Sequence, residues 1–368
     1  MNGRTPLLER QVGQLFWIGF HGTTLTPELR SLLDHVRPGG LILFSRNIEN
    51  ARQVRSLTDA LHRNGSPPPF IALDQEGGRV NRLKTILGPI PPNIELAARR
   101  DAEREIRRHS RSTAAALRSL GFNVNFAPVL DLSEVNSANG IGDRAYGERP
   151  EEVSRLAAVF LKEHLRAGVL PVGKHFPGLG SAGGDTHRIL PIIDKARAAL
   201  WKEDLLPYRR LRRWLPIVMA GHACYPALQG RDRSPATLSA GVIETLLRRR
   251  IGYTGLVLTD DLEMGAVEQS VGAGVQALAA LRAGNDGLMF CATGEKIVEA
   301  FEAVLAAVRG REVDPRRLKR SLRRIAALKR RLPERRPPFA TATVERARRE
   351  LARLGGGTDA GPDPTARS

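Results

Sequence analysis

Short apolar runs alternate with helix-like patterns along most of the chain. The apolar runs are four to seven residues long and rich in Val, Ile, Leu and Phe, a composition typical of buried strands. The eight runs are Leu15–Phe20, Gly40–Phe44, Phe70–Leu73, Val124–Leu130, Leu170–His175, Ile217–His222, Gly255–Asp260 and Gly287–Phe290. Strands that alternate with helices in this way predict a parallel sheet with helical crossovers.

Helix signals fill the segments between the runs. Thr26 and Pro27 supply an N-cap and a proline at the first helical position. Further helices are predicted at Asn50–Arg63, Glu151–Arg166, Ala240–Arg250, Met264–Ala283 and Glu295–Val308. A doubly wound sheet is the alternative, but no glycine fingerprint follows the first strand. An eight-stranded barrel takes about 250 residues or more, so the predicted fold is an α/β protein of the (β/α)₈ TIM-barrel class.

No linker divides the chain into two globular units. We predict one barrel domain over residues 1–336 and a C-terminal tail over residues 337–368. The tail contains a helical pattern at Val344–Leu354. Gly355–Ser368 is rich in glycine, proline and small polar residues, which predicts disorder after that helix.

The net charge of +18 changes the range of partners to consider, because 57 residues are basic and almost all of these are arginine. Such a surplus permits binding to nucleic acid or anionic membranes. The arginines are spread over helix faces such as Ala98–Arg111 and Pro315–Arg331, without the aromatic residues of a single-strand binder. We therefore expect a solvated basic surface with no nucleic-acid or membrane partner.

The remaining bulk features predict a cytoplasmic monomer. Cys224 and Cys291 belong to no metal-binding spacing and are expected to be buried thiols. Met1–Gln14 carries no secretory signal, and no run approaches the ~18 apolar residues of a membrane span.

Polar residues follow five of the eight predicted strands at their carboxyl ends. They are Asp74-Gln75-Glu76 after the third strand, Asp131 after the fourth, Lys174-His175 after the fifth, His222 after the sixth and Asp260-Asp261 after the seventh. Because barrel enzymes carry their chemistry at this rim, we predict an active site there.

A glycine-rich loop after the fifth strand ends in Asp185-Thr186-His187. Asp185 is close enough along the chain to hold one imidazole nitrogen of His187 and raise the basicity of the other. An incidental surface loop remains the alternative. Together with His175 these residues do not complete a metal-ligand set, so neither a metal nor a cofactor is predicted.

The seventh strand delivers two carboxylates, Asp260 and Asp261, to the same rim. One can act as a nucleophile while the other caps the following helix, or both can be caps. Asp74–Arg82 and Gly142-Asp143-Arg144 add carboxylates and guanidinium groups. Such groups suit a sugar, because its buried hydroxyls need matched polar partners.

Together these segments resemble the single-barrel bacterial β-N-acetylhexosaminidases of glycoside hydrolase family 3, which act in cell-wall recycling. The similarity runs from about Gln14 to Leu288. Its motifs are Pro38–Asn47, Asp74–Arg82, Ile141–Arg144, Lys174–His187 and Thr259–Met264.

The resemblance implies a retaining exo-β-N-acetylglucosaminidase acting on peptidoglycan (muropeptide) fragments. It implies that Asp260 forms a covalent glycosyl-enzyme and that His187, oriented by Asp185, is the acid/base. The implied sugar-binding residues are Asp74, Arg82, Arg144, Lys174 and His175, and we include His222 from the same rim.

One position departs from the pattern of the family. Leu179 stands where many relatives carry histidine, which leaves the contact between the loop and the leaving group open. Two alternative functions also remain at this point: a β-N-acetylglucosaminide phosphorylase, and a sugar-binding barrel without catalysis.

Overall fold

Eight parallel strands close into a barrel in the computed structural model, which describes residues 7–133, 140–183, 190–268, 272–292 and 294–355, with Asp363 and Thr365. Each strand pairs with the next along the chain, and the last pairs with the first. The strands are β1 Phe16–Gly19, β2 Gly40–Ile42, β3 Phe70–Leu73, β4 Val124–Asn125, β5 Leu170–Phe176, β6 Ile217–Ala220, β7 Leu256–Asp261 and β8 Gly287–Phe290. Each of the eight predicted runs overlaps one barrel strand, so the TIM-barrel prediction is confirmed.

Helices lie between and around these strands. They are α1 Leu7–Gly13, α2 Pro27–Val36, α3 Ala51–Asn64, α4 Lys84–Leu87, α5 Asn93–Ala97, α6 Ala102–Leu120, α7 Pro150–Ala167, α8 Arg197–Lys202, α9 Leu206–Leu211, α10 Pro226–Gln229, α11 Gly265–Glu268, α12 Ala273–Ala283, α13 Gly294–Arg309, α14 Pro315–Arg331 and α15 Thr341–Ala352. Gly241–Arg250 is a π-helix, and 3₁₀ turns occur at Ser45–Asn47, Gly142–Arg144 and Ala236–Leu238.

Local signals explain where several helices begin. The Thr26 side chain accepts a hydrogen bond from the Leu29 amide at 3.2 Å, which fixes the start of α2. The prediction of one helix over Met264–Ala283 is wrong. Two helices, α11 and α12, occupy this segment, because Gly272 before α12 has an extended backbone (ψ 158°) that a continuous helix cannot contain.

Two glycines inside the barrel make room for a tryptophan side chain. Trp17 of β1 is fully buried and stacks on Phe70 with ring centroids 5.0 Å apart. Its neighbours on the two flanking strands are Gly40 and Gly287, and a Cβ on Gly40 would come within 2.4 Å of the indole. The glycines therefore make room for the indole inside the barrel.

Helix α14 lies across the amino-terminal end of the barrel. Its Arg317 reaches Asp286, the residue before β8, and its Lys329 donates to Gln14 near β1 at 2.7 Å. None of the helices in the described ranges has the length and apolar character needed to cross a bilayer.

Helix α15 lies within the predicted tail and packs against α6, with Val344, Ala347 and Leu351 buried. Most of the tail after Gly355 lies outside the described residues, so its predicted disorder stays a prediction. Cys224 and Cys291 are buried thiols, as expected.

Candidate active site

A cavity opens at the carboxyl ends of the strands, the end of a TIM barrel at which active sites lie. Residues after β2, β3, β5, β7 and β8 contribute to its wall. Five of the predicted site residues line it, namely Asp74, Arg144, Lys174, His175 and Asp260. The apolar part of the wall includes Phe44, Phe126, Met219, Met264 and Met289. The fold thus brings together residues that are up to 186 positions apart (260 − 74).

Lys174 lies at the centre of a buried charge network. Its ammonium group is 2.6 Å from Asp74 Oδ1 and 2.6 Å from Glu76 Oε1. Arg144 completes the network, because its guanidinium group donates to both oxygens of Glu76 at 2.8 Å. Such a bidentate pair fixes the orientation of both side chains.

The network keeps the Glu76 carboxylate ionised. Burial by itself would raise the pKa of Glu76, but the charges of Arg144 and Lys174, with their hydrogen bonds, hold this pKa well below its usual range. Burial likewise opposes the charge on Arg144, and the Glu76 carboxylate outweighs it and raises the arginine pKa. We infer that Glu76 orients Lys174 and Arg144, whereas Asp74 faces the cavity.

A second arginine, Arg82, comes from the short hairpin Gln75–Gly77 with Val80–Asn81 that follows β3. Its guanidinium group lies 3.6 Å from Asp74. Arg82 also contacts Asp363 and Thr365, the two described residues of the distal tail, and Thr365 lines the cavity.

His175 is held by a carboxylate that follows β4. Asp131 Oδ2 is 2.7 Å from Nδ1 of His175, and the Asp131 carboxylate also accepts from the backbone amides of His175 and Leu179. Three hydrogen bonds to one fully buried carboxylate fix the imidazole and the first turn of the loop.

The two carboxylates at the end of β7 have different surroundings. Asp261 is buried, and its Oδ1 accepts from the Glu263 amide at 3.0 Å just before α11. Asp260 is partly exposed towards the cavity, and its Oδ1 accepts from the Asp261 amide at 2.8 Å. Asp261 therefore acts as a cap, and the role of Asp260 as nucleophile stays a prediction.

His222 lies below the cavity floor with its side chain fully buried. Its Nε2 is 3.0 Å from the Asp261 carbonyl oxygen and its Nδ1 is 2.9 Å from the Thr237 hydroxyl. This position supports the backbone that carries Asp260. Direct sugar binding by His222 remains a prediction.

Asp185 and His187 fall in residues 184–189, outside the described residues. The described residues before this segment reach the cavity, and those after it pair with the segment that follows β6. Leu179 at its start lines the cavity wall, and Ile193 after it donates to the Cys224 carbonyl at 2.8 Å beyond β6. The predicted acid/base pair therefore belongs to a loop that starts and ends at this rim.

The hydrogen bonds that hold the hairpin after β3 against β4 were not identified from the sequence. The Asn125 side chain accepts from the Gln75 amide and donates to the Gln75 carbonyl, both at 3.0 Å. Its nitrogen is also 3.0 Å from Nε2 of His164. The available signal was a polar residue, Asn125, at the end of a strand beside the predicted site. No local pattern shows that it pairs with Gln75, because the two are 50 residues apart.

Comparisons with known proteins agree with this geometry. Residues 7–328 match the family described as "Glycosyl hydrolase family 3 N terminal domain". A β-hexosaminidase of Alkalilimnicola ehrlichii is 43% identical over 280 residues, which are 74% of this chain and 79% of that protein.

Solved structures with the same fold include two relatives of this family. A glycoside hydrolase family 3 β-N-acetylglucosaminidase from a Paenibacillus species superposes with a TM-score of 0.85 at 36% identity, covering 94% of this chain and 69% of that one. Native NagZ from Neisseria gonorrhoeae gives a TM-score of 0.79 at 29% identity, covering 93% and 98%. The chain therefore belongs to glycoside hydrolase family 3 and groups with its β-hexosaminidases.

Proposed function

We propose that the protein is a retaining exo-β-N-acetylglucosaminidase that removes terminal β-linked N-acetylglucosamine from peptidoglycan fragments in the cytoplasm. The observation that carries the proposal is the position of Asp260. Its partly exposed carboxylate shares one cavity with Asp74, Arg144 and Lys174. The names of the relatives, β-hexosaminidase and β-N-acetylglucosaminidase, support the choice of sugar.

Two displacements at the anomeric carbon make up the proposed reaction. In the first, Asp260 attacks this carbon, its bond to the leaving oxygen breaks, and His187 gives that oxygen a proton. In the second, His187 takes a proton from water, the water oxygen attacks the anomeric carbon, and the ester bond to Asp260 breaks. Two inversions retain the β configuration. Asp185 orients the imidazole for both steps.

The charged residues of the rim would hold the sugar during both steps. Lys174 donates to Asp74 and is fixed by Glu76, so the two side chains present a donor and an acceptor in fixed positions. Sugar hydroxyls need such pairs because an unmatched polar group is costly in a closed site. Arg144 and His175 extend this polar wall, and Arg82 reaches it through Asp74.

The first test is turnover of p-nitrophenyl β-N-acetylglucosaminide by the wild type and by Asp260→Asn. We expect the substitution to lower kcat by about 10⁴-fold or more, because the amide cannot form the ester. The matched control is Asp261→Asn, whose carbonyl still accepts from the Glu263 amide, and its loss should stay within about tenfold. Equal losses in both variants would refute the assignment of the nucleophile.

A trapping experiment then separates the activity from its alternatives. Incubation with a fluorinated N-acetylglucosaminide should leave a sugar adduct on the peptide around Thr259–Met264, detected by mass spectrometry. Release of sugar 1-phosphate in phosphate buffer would identify a phosphorylase. Binding without adduct or turnover would identify a non-catalytic barrel.

A further inference from the structure

Helix α14 presents a continuous basic stripe to solvent. Residues of an α-helix are about 100° apart, so six exposed cations fall within a stripe about 120° wide. They are Arg316, Lys319, Arg320, Arg323, Arg330 and Arg331. The opposite side of the helix is buried on the barrel through Leu318, Ile325 and Leu328. The helix thus lies flat on the fold, with its charges directed outwards.

Within the described ranges, these six side chains have no partner of opposite charge. Among the residues that the structure describes, none of the six side chains forms a hydrogen bond or an ion pair, and α14 itself contains no acidic residue. The arginines of α6 differ, because Arg107 and Arg111 lie 4.0 and 3.8 Å from Glu163. The charge of the α14 stripe is therefore uncompensated, whereas that of α6 is partly neutralised.

The same end of the barrel carries an exposed tryptophan among further arginines. Trp214 stands three residues before β6 with 59% of its surface exposed, next to the exposed Arg213. Arg249 and Arg250 are exposed at the end of the π-helix that precedes β7. Tryptophan favours the boundary between water and lipid, because its ring is apolar and its N–H group is polar.

In contrast to the expectation from the sequence, we propose that the amino-terminal end of the barrel docks on an anionic lipid surface. The α14 stripe would lie along the phosphate headgroups and Trp214 would enter the interface, while the active-site cavity at the other end faces away. Charge complementarity carries the proposal, since clustered Lys and Arg side chains are attracted to acidic lipid headgroups.

A nucleic acid fits this surface less well. Single strands bind in basic grooves lined by several stacking aromatic rings, and Trp214 is the exposed ring at this end among the described residues. Helix α14 packs along the barrel through Leu318, Ile325 and Leu328, so it does not project as a recognition helix does.

The test is co-sedimentation of the full chain with phosphatidylcholine vesicles, with and without phosphatidylglycerol, at about 0.1 M salt. The triple variant Arg316→Gln/Arg320→Gln/Arg323→Gln should bind the anionic vesicles roughly 10- to 100-fold more weakly. The control Arg107→Gln/Arg108→Gln/Arg111→Gln on α6 removes the same charge and should change binding by less than about threefold. Glutamine keeps both helices intact because it favours helix.

Three results would overturn the proposal. They are no preference of the wild type for anionic vesicles, equal losses in the two triple variants, and tighter binding to duplex DNA than to vesicles at equal phosphate concentration. The second would show that only net charge matters, and the third that the surface serves nucleic acid.

Tryptophan fluorescence tests the orientation independently of activity. Trp17 is fully buried, but Trp201 is partly exposed and contacts Arg209 and Arg250, so the measurements are made in a Trp201→Phe background, in which Trp214 reports the change of solvent. Addition of anionic vesicles should shift the emission to shorter wavelength, and Trp214→Phe should abolish the shift. A shift that persists in this variant would contradict the docking geometry.

Discussion

The two ends of the barrel each hold a cluster of opposite charges, and the two clusters differ in what remains free to bind. At the amino-terminal end, Asp286 has no exposed surface and pairs with Arg248 at 2.5 Å and Arg324 at 2.9 Å. It also accepts from the Ser321 hydroxyl at 2.6 Å and from the Val257 amide at 3.1 Å. All of its acceptor positions are used by the protein.

At the rim, one carboxylate of the cluster around Lys174 is saturated by protein groups and the other faces the cavity. Glu76 is fully buried and saturated by Arg144 and Lys174, while the Asp74 side chain keeps 13% exposure and lines the cavity. The comparison shows that a buried ion pair does not by itself mark a functional site. The distinguishing property is whether a charged group of the cluster still has a hydrogen-bonding position directed at a cavity.

The strongest test of this distinction is Asp286→Asn. Its loss leaves three guanidinium groups, from Arg248, Arg317 and Arg324, without their shared carboxylate, so we expect the free energy of unfolding to fall by about 3–5 kcal/mol. Urea denaturation measures this value. The kcat of the folded variant should equal that of the wild type, since Asp286 lies at the opposite end from the cavity. A lowered kcat with unchanged stability would remove the contrast between the two ends.

The reverse result is expected for Lys174→Met at the rim. The substitution removes the ammonium group that fixes Asp74, and kcat/KM should fall by about 10²- to 10³-fold, as for a lost electrostatic donor in an active site. Stability should change less than in Asp286→Asn, because Glu76 keeps both hydrogen bonds from Arg144. Parallel kinetics and urea unfolding of the two variants provide the check. A large loss of stability without a kinetic effect would class the rim cluster as structural.

The sequence alone predicted the barrel and the site residues that the strands bring to its rim. Eight apolar runs bounded by helix signals gave all eight strands, because alternation of strand and helix is a local property. The positions of Asp74, Lys174 and Asp260 followed from their place after strands. Parallel strands bring their carboxyl ends to one rim whatever the pairing between side chains.

The sequence did not predict which charged side chains pair with each other across the fold. Lys174 and Asp74 are 100 residues apart, and no local pattern links them. Glu76 looked like a further rim carboxylate, although it saturates two cations. In α14, Arg317 and Arg324 turn inwards to Asp286 while their neighbours face solvent, a division that depends on where the helix meets the barrel. Contacts set by tertiary packing leave no signal in spacing alone.

The prediction with the smallest expected effect on stability at neutral pH concerns His109, which lies behind the rim hairpin next to Gly77. Neither of its ring nitrogens has a hydrogen-bond partner among the described residues, and burial lowers its pKa to about 4. His175 at the rim has the kind of hydrogen-bond partner that His109 lacks, because Asp131 Oδ2 lies 2.7 Å from its Nδ1. We therefore expect His109 to be neutral in the folded protein and to oppose folding in acid.

The variant His109→Phe tests this. Between pH 6.5 and about 4 the unfolded chain binds a proton at His109 that the folded chain does not, so the free energy of unfolding falls as the pH falls. Phenylalanine removes this loss, which amounts to at most about 3 kcal/mol at pH 4, and should leave the stability at pH 7 within about 1 kcal/mol. Urea unfolding across this pH range measures the difference. The wild type, unfolded in the same buffers, is the reference. An unchanged slope in His109→Phe would contradict the lowered pKa of His109.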